Sequence, residues 1–356
     1  MIHRKLFALL VLPFLAVAAE AVPLHKFEVR NAAARQAVCN DGSPATYYFR
    51  EGKGSGVNNW VIFLAGGGFC FSVESCDQRF MMNPELMSSH GYPAELKVPG
   101  LLSDAPKSNP DFYNANFVAI PYCSSDLWSG DRKASPETGG YAFRGRRIVQ
   151  AVVTDLQNKS IAGGISSAQN ILFSGTSAGG TGVMVNLDWL AAKFPHVKVR
   201  GVNDAGYIPE SLPDIPGYPS LKGFVQNAIL LWNGKPDVSC AQANHGNLQL
   251  CYLSSVYPYI KTPLLLQESQ YDSFVLGIFQ ITYPFDSLEQ YFADTFASEV
   301  RDSLVPVDVA FSPRVWSHGL LPYASFNSTK VDGVSLRQVL GNWFFERPGP
   351  VKVIQQ

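Results

Sequence analysis

The chain has 356 residues, 46% hydrophobic and 16% charged, which is ample for one large core. Its 28 Lys and Arg against 29 Asp and Glu give a net charge of −1. With no long basic or acidic run, that balance argues against nucleic-acid binding through counterion release.

The first element reads as a secretory leader. Met1 to Lys5 is a basic start, and Leu6 to Val17 is apolar but too short to span a bilayer comfortably. Ala19-Glu20-Ala21 offers a small-x-small cleavage site, with Ala16-Val17-Ala18 as a second option. Residues 1–21 are therefore expected to be removed and 22–356 to remain. No later segment is a membrane-length apolar run, so the expectation is a secreted, extracellular protein with no stable membrane insertion.

Phe27 to Arg30 and Tyr47 to Glu51 read as early strands compatible with antiparallel pairing. Further strands are expected at Trp60 to Leu64, Phe117 to Pro121, Asn170 to Ser174, Val197 to Val202, Thr262 to Gln267 and Val307 to Phe311. Helical patterns fall at Phe143 to Asn158, Gly180 to Phe194, Leu288 to Leu304 and Ser335 to Phe344. Strands alternating with helices predict a mainly parallel sheet with helices on both faces. Tyr207 to Tyr259, rich in Pro, Gly and aromatics, reads as irregular. No linker, repeat or low-complexity tract divides the chain, so 22–356 reads as one domain.

Gly175-Thr176-Ser177-Ala178-Gly179 sits between a strand and a helix. A Gly-x-Ser-x-Gly turn in that context is the nucleophile elbow of α/β-hydrolases, with the hydroxyl held clear of the sheet. Ala65-Gly66-Gly67-Gly68-Phe69 follows an earlier strand. In that fold such a loop supplies backbone N–H groups to the oxyanion hole, and the residue after the nucleophile, Ala178, supplies another. Either glycine run alone could be a tight turn; their order along the chain favours chemistry.

A base and an acid should follow the serine in the order Asp or Glu, then His. His3, His25 and His90 precede Ser177, His196 leaves no room for an acid, and His245 precedes the better acid. His318, in a loop before the last helix, remains. Asp272, a few residues past the strand Pro263 to Gln267, is the preferred acid. Asp204 reads as a structural hydrogen-bonding residue near the site and stays a second candidate. Glu268 is a weaker one, being closer to the strand body.

Several segments together resemble the Notum and pectin acetylesterase family of secreted carboxylesterases, from about Cys39 to about Phe345. They are Cys39-Asn40-Asp41-Gly42-Ser43-Pro44, Gly66-Gly67-Gly68-Phe69-Cys70 with Cys76-Asp77-Gln78-Arg79, and Asn114-Ala115-Asn116. Pro121 to Gly130, Gly175 to Gly180 and Tyr271-Asp272 complete the set. The resemblance implies an α/β-hydrolase-like fold, a triad of Ser177, Asp272 and His318, and an oxyanion hole from Gly67, Gly68 and Ala178. It also implies disulfides Cys39–Cys123, Cys70–Cys76 and Cys240–Cys251, whereas six cysteines alone allow 15 pairings.

Within that family, the Cys123 to Gly130 segment leans toward Notum, which removes palmitoleate from lipidated proteins. The triple glycine leans toward the pectin acetylesterases, since Notum-like chains carry a tryptophan where this one has Gly68. The expectation is a serine carboxylesterase acting on O-acyl esters, of Notum-like deacylase type, with polysaccharide O-acetylesterase as the alternative. The partner is then an O-acylated protein or a polysaccharide. A catalytically silent binding protein on the same scaffold is the reading from another class. The chemistry calls for no cofactor and no metal.

Phe224, Ile229, Leu230, Leu231, Trp232, Tyr252 and Leu253 are either core or acyl-pocket wall, and so are Phe69 and Trp128. Asn158-Lys159-Ser160 and Asn327-Ser328-Thr329 are candidate glycosylation sites.

Overall fold

The computed structural model describes residues 21–158, 163–209 and 221–356. All of the expected leader except residue 21 lies outside them, as do Lys159 and Ser160 of one glycosylation motif and part of the stretch expected to be irregular.

The main strands in chain order are β1 (Leu24–Glu28), β2 (Thr46–Arg50), β3 (Asn59–Leu64), β4 (Glu95–Leu96), β5 (Asn116–Ile120) and β6 (Asn170–Thr176). They continue with β7 (Lys198–Asp204), β8 (Leu264–Gln267) and β9 (Ala310–Ser312). A hairpin of β10 (Lys330–Val331) and β11 (Val334–Ser335) stands apart, and β12 (Lys352–Ile354) ends the chain. Among the described residues, ten strands join one sheet in the order β12-β9-β8-β7-β6-β3-β5-β2-β1-β4. From β12 to β5 the pairing is parallel, while β2, β1 and β4 add on antiparallel.

Side chains alternate across the sheet, as a period of two demands. Trp60, Ile62 and Leu64 of β3 enter one hydrophobic core, and Val61 and Phe63 enter the other. The first core is closed by the helices Gly145–Leu156, Ala178–Lys193 and Ser287–Leu304. The second is closed by Leu336–Phe344 and by Leu320, Leu321 and Phe326. This is the expected mainly parallel sheet covered on both faces. No helix among the described residues is long and apolar enough to cross a membrane.

Several elements differ from the sequence expectation. The stretch read as irregular contains the helix Leu221–Trp232 and the short helix Val238–Ala243. The segment after the glycine loop forms the helix Val73–Met82, started by a Ser72–Ser75 capping box.

Register places the site. Leu64 is opposite Gly175, Thr176 opposite Asp204, and Asp204 opposite Gln267. The carboxyl ends of β3, β6, β7 and β8 therefore lie level, and the loops that leave them converge at the edge where open α/β sheets bind ligands.

Candidate active site

Ser177 occupies the turn between β6 and the helix Ala178–Lys193, with φ 60° and ψ −125°. A serine at positive φ is strained, as expected for an elbow that projects its side chain. Neighbouring backbones explain the flanking glycines. A Cβ on Gly175 would lie 2.3 Å from Gly179 O, and one on Gly179 would lie 2.0 Å from Leu64 O. Ala178 opens the helix, where the first amides have no intrahelical acceptor.

The glycine loop leaves β3 beside this turn. Gly67 has φ 146° and Gly68 φ 67°, conformations that L side chains rarely adopt. Among the described residues no acceptor meets the amides of Gly67 and Gly68. Several contacts brace the loop from behind. Trp128 Nε1 donates to Ala65 O at 3.0 Å, and Trp232 Nε1 to Cys70 O at 2.9 Å. Cys70 is bonded to Cys76, at the start of the following helix. The other two bridges, Cys39–Cys123 and Cys240–Cys251, pair as the resemblance implied.

The segment Cys123 to Gly130 owes its pattern to one buried carboxylate. Asp126 accepts from Ser124 Oγ at 2.7 Å, Trp128 N at 3.1 Å and Gly145 N at 2.7 Å. A Cβ on Gly130 or Gly145 would come within 2.2 Å of that carboxylate. Burial pushes the Asp126 carboxyl up to about 7, against hydrogen bonds that lower it. Its partners, mostly backbone amides, left no mark in the sequence to reveal this role.

His318 lies in the loop after β9, and its Nδ1 is 2.7 Å from Asp272 Oδ2. Asp272 is wholly buried and caps the helix Ser273–Ile278, its Oδ1 accepting from Phe274 N and Val275 N at 2.9 Å each. His318 Nε2 is buried and has no hydrogen-bond partner among the described residues. The Phe274 ring leans on the imidazole with centroids 4.9 Å apart.

Asp204, the second candidate acid, bonds elsewhere. It accepts from Thr176 Oγ1 at 2.6 Å, Leu320 N at 2.9 Å and Leu321 N at 3.1 Å. It thus ties the end of β6 to the loop just after His318. Burial pushes its carboxyl up to about 6.

Ser177, His318, Gly66, Gly67 and Gly68 line one cleft of about 420 Å³, together with Phe63, Phe274, Pro322 and Tyr323. That volume suits a small ester group with an apolar wall. Gly68 faces Phe274, whose Cζ would lie 3.8 Å from an added Cβ. Trp128, Trp232 and Tyr252 are buried and are absent from this lining. Tyr252 donates its hydroxyl to Ser129 Oγ at 3.0 Å. Phe69 makes an edge contact with Trp232, and Phe224 a close ring contact with Phe71. Ile229 is buried, whereas Leu230 is exposed. Asn327 Nδ2, the atom a glycan would take, donates to Ser108 O at 2.7 Å.

A family model described as pectinacetylesterase matches residues 17–356. Palmitoleoyl-protein carboxylesterase notum1a of Danio rerio is 36% identical over 324 residues, covering 86% of this chain and 63% of that protein. Palmitoleoyl-protein carboxylesterase NOTUM of Homo sapiens is 34% identical over 323 residues, covering 86% and 63%. Pectin acetylesterase 11 of Arabidopsis thaliana is 33% identical over 271 residues, covering 75% and 66%. The chain spans just under two thirds of the length of these relatives. Among solved structures, the Wnt deacylase Notum from Drosophila superposes with a TM-score of 0.86 at 30% identity, covering 94% of this chain and 97% of that one. The α/β-hydrolase-like fold expected from the sequence is thereby borne out. With the family model running from residue 17 to the last, the chain belongs to the pectinacetylesterase family.

Proposed function

We propose that the chain is a serine carboxylesterase of O-acyl esters, with Ser177 as nucleophile, His318 as general base and Asp272 as the acid that orients it. The observation that carries this reading is the bond from His318 Nδ1 to Asp272 Oδ2 at 2.7 Å beside a cleft shared with Ser177 and the glycine loop. Asp272 fixes the tautomer with the proton on Nδ1, which leaves Nε2 to take the Ser177 proton.

Ser177 Oγ attacks the ester carbonyl as His318 Nε2 accepts its proton. The carbonyl oxygen gains charge against the amides of Gly67, Gly68 and Ala178. The tetrahedral intermediate collapses, His318 protonates the departing alcohol, and an acyl-serine remains. Water, deprotonated by His318, attacks that ester, and the acid leaves as Ser177 recovers its proton.

The substrate reading is a Notum-like deacylase that acts on an acylated protein. The Notum relatives named above and the segments outside the glycine loop favour it. Gly68 and the Arabidopsis relative support a second reading, an O-acetylesterase of a polysaccharide. We read 22–356 as a single exported domain behind the leader 1–21, with Asn158 and Asn327 as acceptors where the host glycosylates.

Labelling by a fluorophosphonate probe tests the nucleophile. The wild-type chain should be labelled and Ser177→Ala should not, with turnover of a p-nitrophenyl ester down by about three to six orders of magnitude. An unlabelled, folded wild-type chain would mean a silent scaffold.

A further inference from the structure

Three carboxyl groups are buried together behind the imidazole. Asp272, Asp204 and Glu268 are all shielded from solvent. Among the described residues no Lys or Arg pairs with any of them, and His318, on Asp272, carries a positive charge only when protonated. Such a cluster cannot hold three full negative charges.

The donors are shared unequally. Asp272 receives Phe274 N, Val275 N and His318 Nδ1. Asp204 receives the Thr176 hydroxyl and the amides of Leu320 and Leu321. Glu268 receives one long contact, from Tyr207 N to Oε2 at 3.3 Å. Among the described residues no hydrogen-bond partner meets its buried Oε1. The carboxyl lies within hydrogen-bonding reach of Asp272, and that contact becomes a hydrogen bond once Glu268 carries a proton. Burial, and then the charge of Asp272, push Glu268 well above the ordinary carboxylate range.

We propose that Glu268 is a positioning residue for the acid of the site: a neutral carboxylic acid whose O–H donates to Asp272 while its other oxygen accepts from Tyr207 N–H. The proposal rests on the reading of Ser177, His318 and Asp272 as a triad. A neutral donor steadies Asp272 from behind and adds no second charge. An ionised Glu268 would repel Asp272 and place a second negative charge behind the imidazole. The groups facing Glu268 are Asp272 from its own loop, Asp204 from the end of β7, Tyr207 just beyond it, and His318 through Asp272.

The test is the pH dependence of kcat and kcat/KM on a short p-nitrophenyl ester. Glu268→Gln keeps a neutral donor and an acceptor. It should hold kcat within about threefold and leave the acid limb of the profile where it is in wild type. Glu268→Ala removes the donor. It should lower kcat by about tenfold or more and move the acid limb to higher pH, because a less solvated Asp272 binds the imidazolium more tightly.

Two results would overturn the proposal. An acid limb in Glu268→Gln displaced to lower pH by about a unit or more would mean that a negative charge had been removed. A Glu268→Ala enzyme with wild-type kcat and limb would mean that Asp272 needs no such support. Should the variants not fold, the wild-type chain labelled with carboxyl-13C glutamate answers by NMR. One glutamate carbon should remain in the protonated range at about pH 8, where ordinary glutamates are ionised, and its absence would overturn the proposal. That resonance does not depend on turnover, so a failure of the triad reading in the fluorophosphonate assay remains distinguishable.

Discussion

Gly66 and Ser177 are in direct contact: a Cβ built on Gly66 would lie 2.7 Å from Ser177 Cβ and 2.5 Å from Thr176 O. Neither neighbour is the free end of a flexible chain. Gly66→Ala should therefore move the glycine loop away from Ser177. A displacement near 1 Å typically costs about a hundredfold in rate. We expect kcat on a p-nitrophenyl ester to fall by about that factor while the circular dichroism spectrum stays native, and a fully active variant would refute the assignment of the loop.

The two buried aspartates should separate cleanly. Asp272→Asn should lower turnover by about 10⁴-fold, since the amide disturbs the tautomer and orientation of His318. Asp204→Asn should act mainly on stability, through the lost anchor for Leu320 and Leu321. Turnover and Tm measured on both variants decide the matter, and the reverse pattern would move the acid role to Asp204.

Asp126 should leave a mark on the pH dependence of stability. Its carboxyl is raised from 3.8 to about 7 in the folded protein. The native state therefore holds this proton longer than the unfolded chain does. The resulting stabilisation is full below about pH 4 and is lost as pH rises through about 7, a change on the order of 4 kcal/mol. Asp126→Asn should be less stable at pH 4, where its amide faces the Gly145 N–H, yet should lack this decline. Urea melts of both proteins from pH 4 to 8 check it; parallel slopes would disprove the assignment.

The disulfides should divide between stability and rate. Cys39–Cys123 closes a separation of 84 residues, and its loss should cost about 4–5 kcal/mol in the chain-entropy account. Cys70–Cys76 closes only 6, for about 2 kcal/mol, but it braces the glycine loop. Replacing Cys70 and Cys76 by serine should lower kcat more than it lowers Tm, whereas the Cys39 and Cys123 pair should do the opposite.

Acyl length separates the two substrate readings. Burial of each methylene of a fitting chain contributes about 0.8 kcal/mol. A deacylase with a usable lipid pocket should gain kcat/KM steeply from acetyl to octanoyl p-nitrophenyl esters. Activity confined to acetyl and propionyl esters would favour the acetylesterase.

What the sequence revealed follows from where its constraints lie. The elbow was legible because Gly175 and Gly179 are required by neighbouring backbones, and such requirements leave fixed spacings. The strands were legible because both faces of the sheet are buried, which makes Trp60 to Leu64 of β3 and Ile171 to Phe173 of β6 apolar runs. Their ends shifted by a few residues, since loops and strands share residue types there. The helix Leu221–Trp232 was missed because Ala228 to Trp232 is apolar throughout, with little polar relief to show a helical period. The helix Val73–Met82 was missed for the opposite reason, being polar with one buried residue, Cys76. Trp128, Trp232 and Tyr252 could be read as wall or core, and only the hydrogen bonds of Trp128 to Ala65 and of Trp232 to Cys70 show these two tryptophans standing behind the loop.

Strand β3 carries the glycine loop, and the two cores grip it from opposite sides. Pressure from either layer is thus transmitted to the same few amides beside Ser177. A methyl group removed at Ile62 on one side, or at Val61 on the other, leaves a void that the strand can relieve by tilting. Turnover would then register damage to either layer earlier than any melting curve.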